Sequence, residues 1–135
     1  MAKILIIDDD ESVRNYLVAA ISRKGHDPIP AASCQEGLAR LDDPAVHAVV
    51  ADLYLPDSPP TPEWIAQLKR HAAGRPLLVI TGEPSEELAA QVRCGEIAAF
   101  LSKPFELAFI HKLLERVLAD PAARGAAPPD AQGSP

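Results

Sequence analysis

The sequence predicts an α/β fold, a doubly wound parallel sheet of five strands flanked by five helices, and three observations carry that expectation. Short apolar runs alternate with stretches of helical periodicity along the whole chain, as βαβ crossovers require. The runs at residues 4–7, 48–51, 77–80 and 98–101 lack polar alternation, the mark of strands covered on both faces. These runs lead directly into Asp8, Asp52, Thr81 and Lys103 or its neighbour Ser102, at the carboxyl ends where open α/β sheets bind ligands.

The first strand runs from Lys3 to Asp8, and from Glu11 to Lys24 the period changes. Val13, Leu17, Ala20 and Ile21 then share one helical face, Asp10 or Ser12 supplies the cap, and Gly25 supplies the stop. The second strand, Asp27 to Ala32, contains Pro28 and Pro30, which remove ladder donors and confine it to an edge. That edge position fits the flavodoxin-like order 2-1-3-4-5. Ser33 and Glu36 have the spacing of a capping box for a helix carrying Leu38 and Leu41. The third strand, His47 to Asp52, is apolar enough to be central. Thr61 before Pro62 reads as the cap of a third helix that carries Trp64, Ile65 and Leu68 and stops before Gly74. Trp64 reads as a packing residue. The fourth strand covers Pro76 to Thr81, and Ser85 caps a helix ending at Cys94-Gly95. After the fifth strand, a last helix from about Glu106 to Ala119 turns Leu107, Ile110, Leu114 and Val117 inward. Residues 1–119 thus form one domain. Residues 120–135 shift to Ala, Pro, Gly and Ser and read as a flexible tail or linker stub.

Apolar residues make up 47% of the chain, enough for a core, while the formal charge of −6 argues against direct binding to nucleic acid. No run approaches the roughly 18 apolar residues of a membrane span. The acidic N-terminus does not resemble a signal peptide, so a cytoplasmic location is expected. Cys34 and Cys94 lack metal or redox spacing and are expected to be reduced, partly buried core residues. The four histidines share no ligand spacing and read as surface or helix-face residues.

Asp8 and Asp9 end the first strand and Asp52 ends the predicted neighbour, so three carboxylates should converge. Like charges this close raise one another's pKa and destabilise the site unless a hard cation compensates. Oxygen ligands with room for water suit Mg2+. A carboxylate beside that ion can act as a nucleophile toward a phosphoryl group, with Lys103 and Thr81 placed to neutralise and bind its oxygens.

These residues, in four separate stretches, identify the chain as resembling the receiver domain of two-component response regulators. The resemblance implies that Asp52 is the phosphoacceptor and that Asp9 binds Mg2+ directly while Asp8 binds it largely through water. It makes the Tyr54 backbone carbonyl a further metal ligand. It assigns Thr81 as the switch hydroxyl, Phe100 as the switch aromatic, Lys103 as the phosphate-binding lysine, and Lys103-Pro104 as a cis peptide. It implies a histidine kinase or histidine phosphotransfer protein as donor. A downstream protein, or a second copy of the chain in a homodimer, would meet the face of the fourth helix, fifth strand and fifth helix. On this reading the chain is a signalling phosphoacceptor, catalysing only its own phosphorylation and dephosphorylation, and either stands alone or belongs to a longer regulator.

The sequence departs from the family pattern in the loop after Asp52. Asp57-Ser58-Pro59-Pro60-Thr61-Pro62 replaces a glycine-containing turn and predicts a stiffer path into the third helix. Tyr54 and Glu83, two residues beyond Asp52 and Thr81, are expected to gate the attacking water. Ala98 and Ala99 stand where acidic residues are frequent in the family, which weakens the case for a charged dimer. Three other readings compete. A haloacid-dehalogenase-type phosphohydrolase would use Asp8 and Asp10, but it expects a later acidic pair that is missing after Lys103, and it leaves Asp52 without a role. A dinucleotide-binding fold would need glycines where the aspartates stand. A receiver-like module that binds partners without phosphorylation remains the main alternative.

Overall fold

The computed structural model describes residues 2–83, 85–103 and 105–119, so the 120–135 tail and the Lys103-Pro104 peptide bond lie outside the described residues. In chain order the elements are β1 (Lys3–Ile7), α1 (Glu11–Arg23), β2 (Asp27–Ala31), α2 (Cys34–Leu41), β3 (Ala48–Asp52), α3 (Thr61–Ala72), β4 (Leu77–Thr81), α4 (Glu86–Arg93), β5 (Ala99–Ser102) and α5 (Leu107–Ala119). The strands form one parallel sheet in the order β2-β1-β3-β4-β5. The proline-bearing β2 is an edge, as predicted, with Pro28 and Pro30 opposite Ile4 and Ile6.

Strand alternation sorts the apolar residues into two cores. Ile4, Ile6, Val50, Leu78, Ile80 and Leu101 pack on Leu17 and Ile21 of α1 and on Ile110, Leu114 and Val117 of α5. Leu5, Ile7, Val49, Ala51, Leu77 and Val79 pack on α2, α3 and Leu88 of α4. Each fully buried Leu or Ile contributes roughly 1.5–3 kcal/mol of transfer free energy, so the central strands hold the sheet and leave its ends to do chemistry. At Gly37 the approach of α2 to β1 is so close that an added Cβ would collide with the Ile7 side chain. Only glycine lets the helix sit that near.

The helix caps agree with the sequence except at α3. Asp10 caps α1 by accepting from the Ser12 and Val13 amides. Ser33 accepts from Glu36 N, but Glu36 closes on the Ala32 amide at 2.9 Å, one residue earlier than a standard capping box. Thr61 is not a cap: helix α3 begins on it, Pro60 occupies the capping position without a side-chain hydrogen bond, and Pro60 O accepts from Trp64 N at 3.0 Å. The extended backbone of Pro60, already fixed by its ring, sets the entry into the helix without help from a hydroxyl. Cys34 is buried as expected, whereas Cys94 is exposed, because it falls at the C-cap of α4 and not on its packed face. Among the described residues, no helix is long and apolar enough to cross a membrane.

Candidate functional site

Strand order reverses its winding between β1 and β3, and the crevice at such a switch point is where ligands bind. Asp8 follows β1 and Asp52 is the last residue of β3. One carboxylate oxygen each from Asp8, Asp9 and Asp52 lies within 4.8 Å of the others. Asp8 is fully buried, Asp52 is 4% exposed, and Asp9 faces solvent. The predicted convergence of the three acids is present.

The two buried carboxylates are oriented by the backbone that follows them. Asp8 Oδ1 accepts from Asp10 N at 2.9 Å, and Asp52 Oδ1 accepts from Tyr54 N at 2.8 Å. Lys103 Nζ donates to Asp52 Oδ2 at 3.0 Å, while its own amide donates to Thr81 O and so ties the lysine to the end of β4. Two further groups brace the backbone. The buried Trp64 indole donates from Nε1 to Asp52 O at 2.9 Å, and Arg14 Nη1 donates to Asp8 O at 2.8 Å. Sequence reading placed Trp64 in the core but gave no sign of its contact with Asp52, because that hydrogen bond depends on how α3 leans on β3.

The electrostatics of the pocket follow from burial. Desolvation pushes the Asp8 carboxyl up to about 6; the charges of Asp52 and Asp9 add to the rise, while the Asp10 amide and Lys103 oppose it. For Lys103, burial acts against the ammonium, but the hydrogen bond and charge of Asp52, with Asp8 and Asp10 behind it, outweigh burial and raise its pKa. Asp8 Oδ2 is buried and has no hydrogen-bond partner among the described residues. An orphaned buried carboxylate oxygen within reach of two other carboxylates is the donor set a hard divalent cation takes, and the residues therefore fit Mg2+.

Thr81 and Phe100 stand at the predicted strand positions but not in the acidic cluster. Thr81 is 1% exposed, and its Oγ1 accepts from Glu83 N at 3.0 Å. Phe100, beside Val79 in the sheet, is half-buried against the α2–α3–α4 core. A cavity of about 510 Å3 opens between α3 and α4, lined by Tyr54, Ile65, Thr81, Glu83 and Leu88 among others. Tyr54 is 57% exposed and Glu83 also faces solvent, so both stand at the rim of this cavity.

The chain is thus a doubly wound α/β domain with an acidic, lysine-paired pocket at its switch point. Comparison with known proteins gives the family: the response regulator receiver domain description matches residues 4–115, and the chain belongs to that family. It is 31% identical over 103 residues to an NtrX-like response regulator of Rickettsia conorii, covering 76% of this chain and 22% of that protein. It is 29% identical over 126 residues to the DNA-binding transcriptional regulator NtrC of Rhizobium meliloti, covering 91% of this chain and 25% of that one. The chain thus spans about a quarter of the length of these curated relatives. Among solved structures, the chemotaxis protein CheY4 of Vibrio cholerae superposes with a TM-score of 0.74 at 27% identity, over 87% of this chain and 98% of that one. A CheY-like receiver domain protein of Methanospirillum hungatei, at 22% identity, shares the fold with a TM-score of 0.80 over 93% of this chain and 99% of that one.

Proposed function

We propose that this receiver domain is switched by phosphorylation of Asp52. The observation that carries the reading is the state of the Asp52 carboxylate: one oxygen held by the Tyr54 amide, the other paired with Lys103, next to a buried Asp8 oxygen with no hydrogen-bond partner among the described residues. An Asp52 oxygen attacks the phosphorus of a phosphohistidine on a kinase or phosphotransfer protein. The N–P bond breaks as the O–P bond forms, and the imidazole departs with the electron pair. Lys103 then exchanges its carboxylate partner for a phosphoryl oxygen. Asp8, Asp9, Asp52 and the Tyr54 carbonyl would hold Mg2+, which when bound supplies positive charge against the carboxylates and the phosphoryl oxygens. Catalysis by the chain is confined to gain and loss of its own phosphoryl group.

Thr81 is the switch hydroxyl on this reading. Its hydroxyl accepts from the Glu83 amide and keeps its own proton to donate to a phosphoryl oxygen. As it moves toward that oxygen, Phe100 enters the space it vacates, and the adjoining cavity supports such a movement. The face of α4, β5 and α5 then changes its preference for a downstream protein or for a second copy of the chain. The receiver domain comprises residues 1–119, with 120–135 as a tail or linker stub, a division supported by the family match over residues 4–115. The setting is cytoplasmic, where a kinase with ATP would supply the phosphoryl group.

The test is intact-protein mass after incubation with acetyl phosphate, with and without Mg2+, for the wild type and Asp52→Asn. A Mg2+-dependent gain of one phosphoryl group that is lost in the variant is the expected result. No adduct after rapid quenching, together with no response to beryllofluoride, overturns the reading in favour of a phosphorylation-independent interaction module.

A further inference from the structure

From Tyr54 onward the chain leaves the sheet: Leu53 N makes the last ladder-side hydrogen bond, to Ile80 O at 3.1 Å. Tyr54 is exposed and its side chain gives the loop no anchor in the core. The next four residues close a tight turn, in which Ser58 N donates to Leu55 O at 3.1 Å and Pro56 occupies the position where its fixed φ is favoured. Ser58 Oγ doubles the closure, accepting from Leu55 N at 3.2 Å and donating to Leu55 O at 2.9 Å. The turn is internally rigid, so wherever it is fastened, Tyr54 follows.

One end of the turn is held by Leu55, 7% exposed in the α2–α3–α4 core, and the other is fastened by Asp57. Its Oδ1 accepts from Cys34 N at 2.9 Å and its Oδ2 from Gln35 N at 3.2 Å, so the carboxylate spans the first two amides of α2, more than twenty residues earlier in the chain. Those amides are orphans of the helix start, and the positive end of the helix favours a carboxylate there. The Cys34 amide holds the Asp57 carboxyl below its ordinary range; burial opposes it, and the Gln35 amide adds to the lowering. Ser33 caps the same helix through Glu36 N, so Asp57 duplicates no existing bond.

We infer that Asp57 is a positioning residue for the metal and phosphoryl site: by docking the turn at residues 55–58 on the start of α2, it holds the Tyr54 carbonyl in place for Mg2+. The inference rests on the proposed reading of Asp52 and Mg2+, and it explains how the loop dispenses with a glycine-containing turn. Conformational freedom is removed by Pro56 within the turn, by Pro59 and Pro60 after it, and by one carboxylate that crosses to another helix. Residues that orient a metal ligand from outside its shell commonly change metal affinity about ten- to a hundredfold when removed.

The experiment titrates MgCl2 into the wild type, Asp57→Ala, Asp57→Asn and, as a control, Asp52→Asn, with thermal unfolding of each. Asp57→Ala is expected to weaken Mg2+ binding about tenfold and to slow phosphorylation by acetyl phosphate at fixed subsaturating Mg2+. Asp57→Asn should recover part of the loss, since its amide oxygen can accept from one of the two α2 amides. In the wild type, the NMR signals of the Cys34 and Gln35 amides should move as Mg2+ is added. A lowered Tm with unchanged Mg2+ affinity, or Cys34 and Gln35 amides that ignore the ion, overturns the inference and leaves Asp57 a purely structural tie. If the wild type itself binds no Mg2+, the underlying reading of the site fails instead, and the two failures are told apart by that single titration.

Discussion

The two ends of the sheet handle charge in opposite ways. At the amino end, before β4, Arg75 uses its five N–H groups on five backbone carbonyls: Leu41 at the end of α2, His71 and Ala72 at the end of α3, and Asp43 and Val46 ahead of β3. One cation caps two helix C-termini and satisfies the loop between them. At the carboxyl end, three carboxylates gather with one buried oxygen left unpartnered among the described residues. The same strands link both ends, so the satisfied end can offset the frustrated one. A functional site of this kind stores its unfavourable interaction until a ligand relieves it.

The largest effect expected from breaking this contrast is on the satisfied end. Arg75→Ala removes five hydrogen bonds and leaves helix-terminal carbonyls without a donor, a loss of about 3 kcal/mol or more. Urea unfolding should register it fully, while Mg2+ affinity measured on the folded fraction stays within about twofold, because no Arg75 contact reaches the pocket. A parallel loss of Mg2+ binding would show that the two ends are coupled.

The opposite sign is expected at Asp8. Its folded pKa of about 6 lies above the ordinary 3.8, so the folded state holds a proton that the unfolded chain gives up. The stabilisation from that protonated carboxyl is full below the unfolded value and is lost as pH rises through about 6, leaving a cost of up to about 3 kcal/mol at neutral pH. Asp8→Asn should therefore stabilise the metal-free protein at pH 7, leave it unchanged near pH 3, and abolish Mg2+ binding. In the wild type, Mg2+ should bind more tightly as pH rises through 6, since the ion competes with the Asp8 proton. A variant no more stable than wild type at pH 7 would mean that Asp8 carries no strain.

Much of this was legible because the central strands are apolar runs and every acid or lysine of the pocket directly follows or ends one. Once the runs at 4–7, 48–51 and 77–80 are read as adjacent parallel strands, Asp8, Asp52 and Thr81 have only one end at which to meet. Arg75, Asp57 and the Trp64 indole were not legible. Asp57, the Trp64 indole and three of the five Arg75 hydrogen bonds reach backbone groups at least twelve positions away, which no local pattern marks. The misplaced cap at Thr61 has a different cause: a hydroxyl before a proline looks like a cap by residue type, yet the preceding Pro60 already holds the extended backbone that the position needs.

The smallest expected effect compares the two ends of β1 directly. At its start, His26 Nδ1 accepts from Ala2 N at 3.0 Å and His47 Nδ1 accepts from Lys3 N at 3.0 Å, so both rings act there as neutral acceptors. Burial lowers the His26 pKa from 6.5, and the positive charge of Lys24 adds to the lowering. Because the folded value is depressed, the stabilisation from neutral His26 is present above pH 6.5 and lost as pH falls through the folded value. Asp8, at the other end of the same strand, contributes in the reverse direction over a neighbouring range. His26→Ala should cost about 1 kcal/mol at pH 7 through the lost acceptor and flatten the acid side of the stability profile, whereas Asp8→Asn flattens its neutral side. Chemical denaturation from pH 4 to 8 on both variants separates the two limbs. If His26→Ala leaves the acid limb intact, neutral His26 is not its source, and the two ends of the strand do not divide the pH profile between them.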